Sequence, residues 1–384
     1  RALVQDGIVY VVSGNDVYAL DALTGQVVWT ALNDNASGAD RVEFWDYHSG
    51  APVRDGSTLY VGLGDGYVHG FDVESGEPTT RIATADTVPV RSGLLVEAGT
   101  LYFGDWNGLV YAYDLDAGAL KWTTRTYDER PYETFGALTA GFAIHGDLLL
   151  FGARNTELQA LDKHDGSVVW SYIEETGGWI SGDPLVEDGI LYIGGSDNHE
   201  LFAFDAATGE KIWTYEFVYN NFSRPLIDGD VLFVTVGDAY SVYGEGIGRG
   251  YLYALDKHDG SLRNFRGIRG NSYSSPAISD GLLFVGSEDS TLYAIDVEVF
   301  LHEDCDLTAT GYDAVEITDL EPATFTVTSI ISYRVKYRAI IDVRITTLGG
   351  ATVRHLESGE MLPGDYDALW DLSLIHISEP TRLD

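Results

Sequence analysis

The chain contains almost no cysteine and no long apolar run. Among its 384 residues there is one cysteine, Cys305, which excludes an internal disulfide and a metal cluster held by several thiolates of one chain. No stretch reaches the roughly 18 consecutive apolar residues of a membrane-spanning helix. With 45% hydrophobic residues, the chain is still long enough to bury a large core. We therefore expect a globular protein without a membrane span.

Positive charge is scarce as well. Asp and Glu number 60 against 23 Lys and Arg, which gives a formal net charge of −37. Proteins that bind nucleic acid need a basic surface, so nucleic acid is excluded as a partner. A solvated acidic surface that favours solubility accounts for the charge. Calcium binding by surface carboxylates is an alternative, but no Asp/Asn loop has the full EF-hand spacing.

A repeated strand–turn–strand unit dominates what is present. In residues 201–213 an apolar strand ends at Asp205, a turn contains Gly209, and a second strand ends at Trp213. The Asp205 carboxylate can bond its own turn, and glycine adopts a positive φ at little cost. Three further copies keep the spacing: Asp21, Gly25 and Trp29; Asp114, Gly118 and Trp122; Asp162, Gly166 and Trp170. Two copies keep the turn, at Asp72 and Asp256, but carry Thr80 and Asn264 in place of tryptophan.

The repeat length indicates the fold. With Asp296, seven aspartates follow one another at intervals of 40 to 51 residues, and a small residue stands two positions before each. A strand-only repeat of this length is typical of a β-propeller. The sequence therefore predicts an all-β, seven-bladed β-propeller with four strands per blade. An incomplete eight-bladed propeller is the alternative.

The repeated tryptophans are predicted to be packing anchors between blades, because their register in the repeat is regular. They are Trp29, Trp122, Trp170 and Trp213.

The last repeat is irregular. Phe300 stands where the turn glycine is expected, and no fourth strand follows Asp296 at its usual place. We expect a segment that precedes Arg1 to supply this strand and close the ring, since closure removes unpaired sheet edges.

The sequence pattern changes after residue 300. Residues 301–322 are rich in Asp and Glu and are predicted to form a linker. Residues 323–371 contain alternating runs, as at 331–335 and 341–345, separated by glycine turns. This pattern predicts a small Ig-like β-sandwich.

The repeat resembles the PQQ-type propeller repeat, whose family includes quinoprotein alcohol dehydrogenases and the outer-membrane assembly factor of the BamB type. The resemblance rests on the pattern Tyr-Ala-Leu-Asp-x-x-Thr-Gly-x-x-x-Trp, as at residues 18–29, and it covers residues 1–298. It implies a propeller domain over residues 1–300. Because one fold can carry many functions, the resemblance is specific for the fold and uninformative about activity.

Residues 323–371 resemble the Ig-like domain of the flagellar hook-capping (FlgD) type, through residues that include Tyr333, Gly350, Gly364 and Trp370. That family continues beyond its Trp-Asp-Gly with two more strands, whereas this chain departs from the pattern after Asp371. Residues 372–384 resemble translated adaptor sequence. We predict that the sandwich is truncated and that residues 372–384 form a non-native tail without a partner strand, so that their deletion leaves folding unchanged or improved.

Two classes of function are compatible with the predicted propeller. Quinoproteins of the resembled family hold PQQ over a tryptophan, under a disulfide of adjacent cysteines and beside calcium, and this chain has no such cysteine pair. His164 and His258 lie in identical Lys-His-Asp-Gly turns, which fits turn formation better than catalysis. We predict a non-catalytic binding propeller without cofactor, metal site or catalytic residue. A PQQ- and calcium-dependent quinoprotein oxidoreductase is the alternative.

The irregular loops offer the candidate binding site. Loops that join a fourth strand to the next first strand should cluster at one end of the central channel, and here they carry aromatic residues and arginine, which are over-used at interfaces. Arginines that are paired internally and merely line the channel are the alternative reading. The expected partner is a protein, peptide or glycan, and the expected location is extracellular, on the cell surface or periplasmic. The predicted ligand-binding residues are Trp45, Tyr47, His48, Arg91, Arg130, Tyr132, Trp179, Asn221, Arg224 and Tyr273.

Overall fold

The protein consists of two units, residues Arg1–His302 and Glu303–Asp384. The structure, a computed structural model, describes residues 2–13, 15–31, 50–126, 137–174, 177–196, 198–238, 249–289 and 291–302. In the second unit it describes the backbone of six strands between residues 315 and 383.

The first unit contains seven antiparallel sheets, each built from consecutive strands in chain order. Blade 1 has β1 (Ala2–Gln5), β2 (Ile8–Ser13), β3 (Asp16–Asp21) and β4 (Val27–Ala31). Blade 2 has β5 (Val53–Asp55), β6 (Thr58–Gly62), β7 (Tyr67–Asp72) and β8 (Pro78–Ala83). Blade 3 has β9 (Leu95–Glu97), β10 (Thr100–Gly104), β11 (Leu109–Asp114) and β12 (Ala119–Arg125).

Blade 4 has β13 (Ala143–His145), β14 (Leu148–Gly152), β15 (Glu157–Asp162) and β16 (Val168–Ile173). Blade 5 has β17 (Leu185–Glu187), β18 (Ile190–Gly194), β19 (Glu200–Asp205) and β20 (Lys211–Glu216). Blade 6 has β21 (Leu226–Asp228), β22 (Val231–Gly237), β23 (Arg249–Asp256) and β24 (Leu262–Arg269). Blade 7 has β25 (Ala277–Ser279), β26 (Leu282–Gly286) and β27 (Leu292–Asp296).

Helix is rare in the described part of this unit, which contains one 3-10 turn (Ala85–Thr87) and one α-helix, α1 (Val297–His302). The predicted all-β, seven-bladed propeller is thus confirmed. The helix was not predicted. It directly follows β27, so that the seventh sheet has three strands and α1 occupies the place in the sequence where other blades turn into their fourth strand.

The first strands lie at the centre of the propeller and the fourth strands at its rim. First strands of neighbouring blades contact each other, as β5 does β9 and β13 does β17. Fourth strands instead expose apolar side chains to solvent: Val27, Val28, Leu120, Val168, Val169 and Ile212. The apolar cores lie between successive sheets. One joins Tyr10 and Val12 of blade 1 to Leu59 and Phe71 of blade 2.

The small residue of each repeat has a specific neighbour on the next strand. Ala19, Ala112, Ala160 and Ala203 lie directly opposite the tryptophan of the same repeat, and a bulge follows each of these pairs. All four alanines are fully buried. A larger side chain would occupy the space that the indole fills. The repeat therefore couples a small third-strand residue to a large fourth-strand residue.

The second unit contains two three-stranded sheets, ordered β28-β29-β32 and β31-β30-β33. Their strands are β28 (Val315–Glu321), β29 (Thr328–Val335), β30 (Ala339–Thr347), β31 (Thr352–Met361), β32 (Gly364–Asp371) and β33 (Thr381–Leu383). Residues 381–383 pair with β30, in contrast to the expectation that the tail has no partner strand. The domain boundaries, the FlgD-type assignment and the non-native origin of residues 372–384 stay predictions.

Candidate functional site

Two sets of segments meet at one end of the propeller. The inter-blade loops run from a fourth strand to the next first strand, and the hairpin turns join second to third strands. In five blades, a backbone carbonyl of the inter-blade loop accepts a hydrogen bond from a backbone N–H of the hairpin turn, 17 residues later in the chain. The pairs, with the loop residue first, are Pro89 and Trp106, Ala137 and Arg154, Trp179 and Ser196, Asn220 and Gly237, and Asn271 and Glu288. We call this end of the propeller the loop end.

Serine side chains show which way the inter-blade loops face. Ser92 Oγ accepts a hydrogen bond from Gly104 N (2.8 Å) and lies 3.1 Å from Gly104 O, both in the second strand of its own blade. Ser223 and Ser274 make the same pair of contacts with Thr235 and Gly286. Each of these serines therefore faces the second strand of its own blade, and the three serines mark the same position in their loops.

The serines stand five positions before the last residue of each first strand, and the positions four and six before that residue can be compared between blades in the same way. Equivalent residues of neighbouring blades touch there. Gly141 N donates to Asp183 Oδ1 (2.6 Å), and Arg224 N donates to Ser275 Oγ (2.9 Å). We call the set at six back the inner ring. Its members in the loops that precede blades 3 to 7 are Arg91, Thr139, Ser181, Phe222 and Tyr273.

The structure distributes the predicted site residues unequally. Arg91 and Tyr273 belong to the inner ring. Trp179 precedes Ser181 by two positions, Arg224 is exposed at four back, and Asn221 is fully buried beside Gly194. The remaining predictions, Trp45, Tyr47, His48, Arg130 and Tyr132, lie outside the described residues.

Arg91 occupies the most unusual position in the inner ring. Its side chain is buried, with 5% of the residue exposed, and its Nε has no hydrogen-bond partner among the described residues. No hydrogen bond or ion pair joins Arg91 to any residue in the part of the chain that the structure describes. This differs from the reading in which the loop arginines are paired internally.

An aromatic pair forms another part of the inner ring. The rings of Phe222 and Tyr273 meet edge to face with centroids 5.5 Å apart. Burial raises the pKa of the Tyr273 hydroxyl, and the nearby carboxylates of Glu288 and Asp238 raise it further. Tyr273 is therefore a neutral hydroxyl that can donate a hydrogen bond over the whole physiological pH range. Phe222 was missed in the sequence, because its equivalence to Arg91 and Tyr273 shows only once the first strands are aligned.

A second group at the loop end brings three blades together. The Arg154 guanidinium lies 4.4 Å from the ring centroid of Trp179 and 5.2 Å from that of Trp106. Trp106 comes from the hairpin turn of blade 3, Arg154 from that of blade 4, and Trp179 from the loop leading into blade 5. Arg154 is buried, whereas both tryptophans are partly exposed. Trp106 and Arg154 were not predicted, since isolated turn residues carry no sequence signal for a joint contact.

The repeat tryptophans lie away from the loop end, between blades. Each indole N–H donates to the backbone carbonyl that follows the repeat aspartate of the next blade, as Trp29 Nε1 does to Val73 O (2.9 Å) and Trp213 Nε1 to Lys257 O (3.2 Å). Trp122 and Trp170 bond Lys163 O and Ala206 O in the same way. His164 and His258 lie in aspartate turns, where their Nε2 atoms contact Asp147 and Asp230 at 3.1 Å.

Among the described residues, no group of three or more His, Cys, Asp and Glu side chains is placed to hold a metal ion. Within the same part of the chain, no helix has the length and apolar character needed to cross a membrane.

Comparison with known proteins agrees with the propeller fold. The family model described as outer membrane protein assembly factor BamB matches residues 1–124 and 107–234. No curated protein matches the chain.

Solved structures show the same fold. The quinohemoprotein alcohol dehydrogenase from Comamonas testosteroni is similar with a TM-score of 0.62 and 14% identity, over 96% of this chain and 73% of that chain. A europium-containing methanol dehydrogenase has a TM-score of 0.59 and 14% identity, over 87% and 81%. BamB from Moraxella catarrhalis has a TM-score of 0.50 and 17% identity, over 77% and 95%. Since the family matches together span residues 1–234 of 384, the chain belongs to the BamB-like family of PQQ-type repeat propellers.

Proposed function

We propose that this chain is a non-catalytic binding propeller of the bacterial cell envelope that holds a segment of a partner protein at its loop end. The observation that supports this most is the contact of the Arg154 guanidinium with the rings of both Trp106 and Trp179. Tryptophan and arginine are the residue types that contribute most to binding energy at protein interfaces. Here they come from three blades and meet at one surface.

The rigidity of this group favours binding. Arg154 is buried, and its backbone N–H donates to Ala137 O (3.2 Å), while Trp179 O accepts from Ser196 N (2.7 Å). A side chain that is already fixed loses little conformational entropy when a partner docks, so more of the contact energy remains as affinity. The partly exposed indole rings offer flat apolar surface to a partner.

The family name supports the envelope location, because the matching model describes an outer membrane protein assembly factor. A protein partner is favoured over a glycan because assembly factors act on other proteins. The net charge of −37 would repel acidic partners at a distance, but physiological salt screens that field beyond about 8 Å. Short-range fit at the loop end then selects the partner.

The experiment is capture of envelope proteins on the immobilised full chain, followed by affinity measurement for the captured partner. Trp179→Ala and Trp106→Ala should each lower the affinity about tenfold or more, as expected for central aromatic residues. Leu23→Ala is the matched control, because Leu23 is 97% exposed in the repeat turn of blade 1, away from the loop end. Full retention of binding by both tryptophan variants would contradict the proposal. Binding to a glycan array would instead indicate a glycan as the ligand. Dye reduction by the wild type with added PQQ and calcium would establish the oxidoreductase alternative instead.

A further inference from the structure

Arg91 presents a buried positive charge that lacks a counter-charge in the described structure. The residue is 5% exposed, its Nε is sealed from solvent without a partner, and it forms no hydrogen bond or ion pair with any described residue. Burying an unpaired ion is costly, and buried guanidinium groups are normally paired with carboxylates or phosphates. The chain has 60 acidic residues against 23 basic ones, so carboxylates are plentiful in the chain as a whole.

The backbone around Arg91 is fixed by both flanking hairpin turns. Val90 N donates to Leu63 O of blade 2 (3.0 Å), and Trp106 N of blade 3 donates to Pro89 O (2.9 Å). Gly64 packs so closely that a methyl group there would lie 2.7 Å from Arg91 Nη2. The guanidinium is therefore packed against a hairpin turn without an ion pair to any residue that the structure describes.

The acidic residues of those two turns are engaged elsewhere. Asp65 contacts His69 Nε2 at 2.9 Å and Arg81 Nη2 at 3.3 Å. Asp105 accepts a hydrogen bond from the Tyr111 hydroxyl (2.7 Å) and two more from backbone N–H groups. All of these bonds join the two carboxylates to residues other than Arg91.

We infer that Arg91 is an oxyanion-binding subsite of the inner ring, which takes a carboxylate or phosphate group of the bound ligand. The inference rests on the proposed binding at the loop end and adds the chemistry of one contact. A guanidinium binds either group with two parallel hydrogen bonds. The equivalent positions of the other described loops carry Thr139, Ser181, Phe222 and Tyr273, so Arg91 is the charged member of the inner ring.

The test compares the full chain with Arg91→Gln and with Arg263→Gln. Arg263 pairs with Asp256 in the repeat turn of blade 6, so its substitution removes the same charge away from the loop end. Three probes are titrated calorimetrically at constant ionic strength: sodium phosphate, the capped peptide acetyl-Glu-Glu-Glu-amide, and its Gln counterpart. The wild type and Arg263→Gln should bind phosphate or the Glu peptide about tenfold more tightly than the Gln peptide, and Arg91→Gln should lose that preference. Preference for phosphate over the Glu peptide, or the reverse, identifies the source of the oxyanion.

Two results would overturn the inference: equal binding of all three probes by the wild type, or an unchanged preference in Arg91→Gln. If Arg91→Gln does not fold, Arg91→Lys replaces it. Lysine cannot form the two parallel hydrogen bonds of a guanidinium, so an unchanged preference for the anionic probes in Arg91→Lys would count against the inference. Failure here is separable from failure of the proposed function. The small probes report on Arg91 alone, whereas loss of the protein partner is measured with Trp106→Ala and Trp179→Ala.

Discussion

The side-chain amide of Asn264 donates a hydrogen bond to the backbone carbonyl of Phe300. Asn264 holds the position of the repeat tryptophan, and Phe300 holds that of the turn glycine in the following repeat. In four other blade pairs the large residue is the tryptophan and the small one is the glycine. At the boundary of blades 6 and 7 the sizes are exchanged. The side chain still donates to a backbone carbonyl, but to that of Phe300, four residues after Asp296, and not to that of the residue directly after the aspartate.

This exchange predicts a coupled pair of substitutions. Asn264→Trp alone should destabilise the chain, because Phe300 is buried and already fills the space between the blades. Phe300→Gly alone should cost about 3–5 kcal/mol, as for removal of a buried aromatic side chain. The double variant should lose less than the sum of the two, and a urea-unfolding double-mutant cycle measures the difference. Simple additivity would show that the positions are independent.

The repeat tryptophans should be strong contributors to stability. Trp213 is buried and donates to Lys257 O, so Trp213→Ala should lower the free energy of unfolding by about 3–5 kcal/mol. Trp170→Ala should behave similarly, since its indole donates to Ala206 O (3.3 Å). Thr80→Ala, at the exposed equivalent position of blade 2, is the control and should cost far less. Equal urea midpoints for the wild type and Trp213→Ala would refute the anchoring role.

The turn glycines should differ according to whether a tryptophan covers them. Gly260 has a φ of +73°, and an added Cβ would lie 2.6 Å from the Trp213 ring. Gly118 has a φ of +63°, but its nearest neighbour would be the Tyr113 hydroxyl at 3.9 Å. Both alanine substitutions carry the strain of a positive φ, whereas only Gly260→Ala adds a clash of about 1–3 kcal/mol. Thermal or urea unfolding of the two variants isolates that clash, and equal losses would argue against it.

Stability should depend on pH through Glu200. Burial is the main reason that the pKa of its carboxyl is raised from the ordinary 4.5 to about 6. The nearby carboxylates of Glu174 and Glu216 raise this pKa further, whereas Lys211 lowers it. Because the folded state holds the proton more tightly, the stabilisation is complete below pH 4.5 and is lost as the pH rises through about 6. Glu200→Gln should therefore be more stable than the wild type at pH 7, with the difference vanishing below pH 4.5. Glu210→Gln, at an exposed turn position, is the control, and a pH-independent difference for Glu200→Gln would contradict the assignment.

Much of the fold could be predicted from local sequence, because each repeat forms its turn through contacts among its own residues. The Asp205 carboxylate accepts bonds from the Thr208 N–H and hydroxyl at 2.8 Å, and Gly209 has a φ of +73°. These are contacts within five residues, so the residue types alone report them. The helix α1 was missed because the residue that ends the pattern, Phe300, gains its position from packing on Phe233 of the neighbouring blade.

The candidate site, in contrast to the fold, could be predicted only in part. The sequence indicated which loops gather at one end, because it gives the order of strands and hence the polarity of each loop. It did not indicate that Arg91, Phe222 and Tyr273 are equivalent, or that Arg154 lies between Trp106 and Trp179. The equivalence depends on aligning the first strands of different blades, and the Arg154 contacts join residues 25 and 48 positions apart in the chain.

The sequence by itself determined the repeat, its turns and the all-β class, because those features arise from interactions between near neighbours in the chain. Only the tertiary structure decided which side chains share the loop end and which of the described ones have no partner within the described part of the chain. Burial and ion pairing are properties of the assembled ring: Arg91 and Arg224 come from similar loops, yet one is sealed between two hairpin turns and the other is exposed.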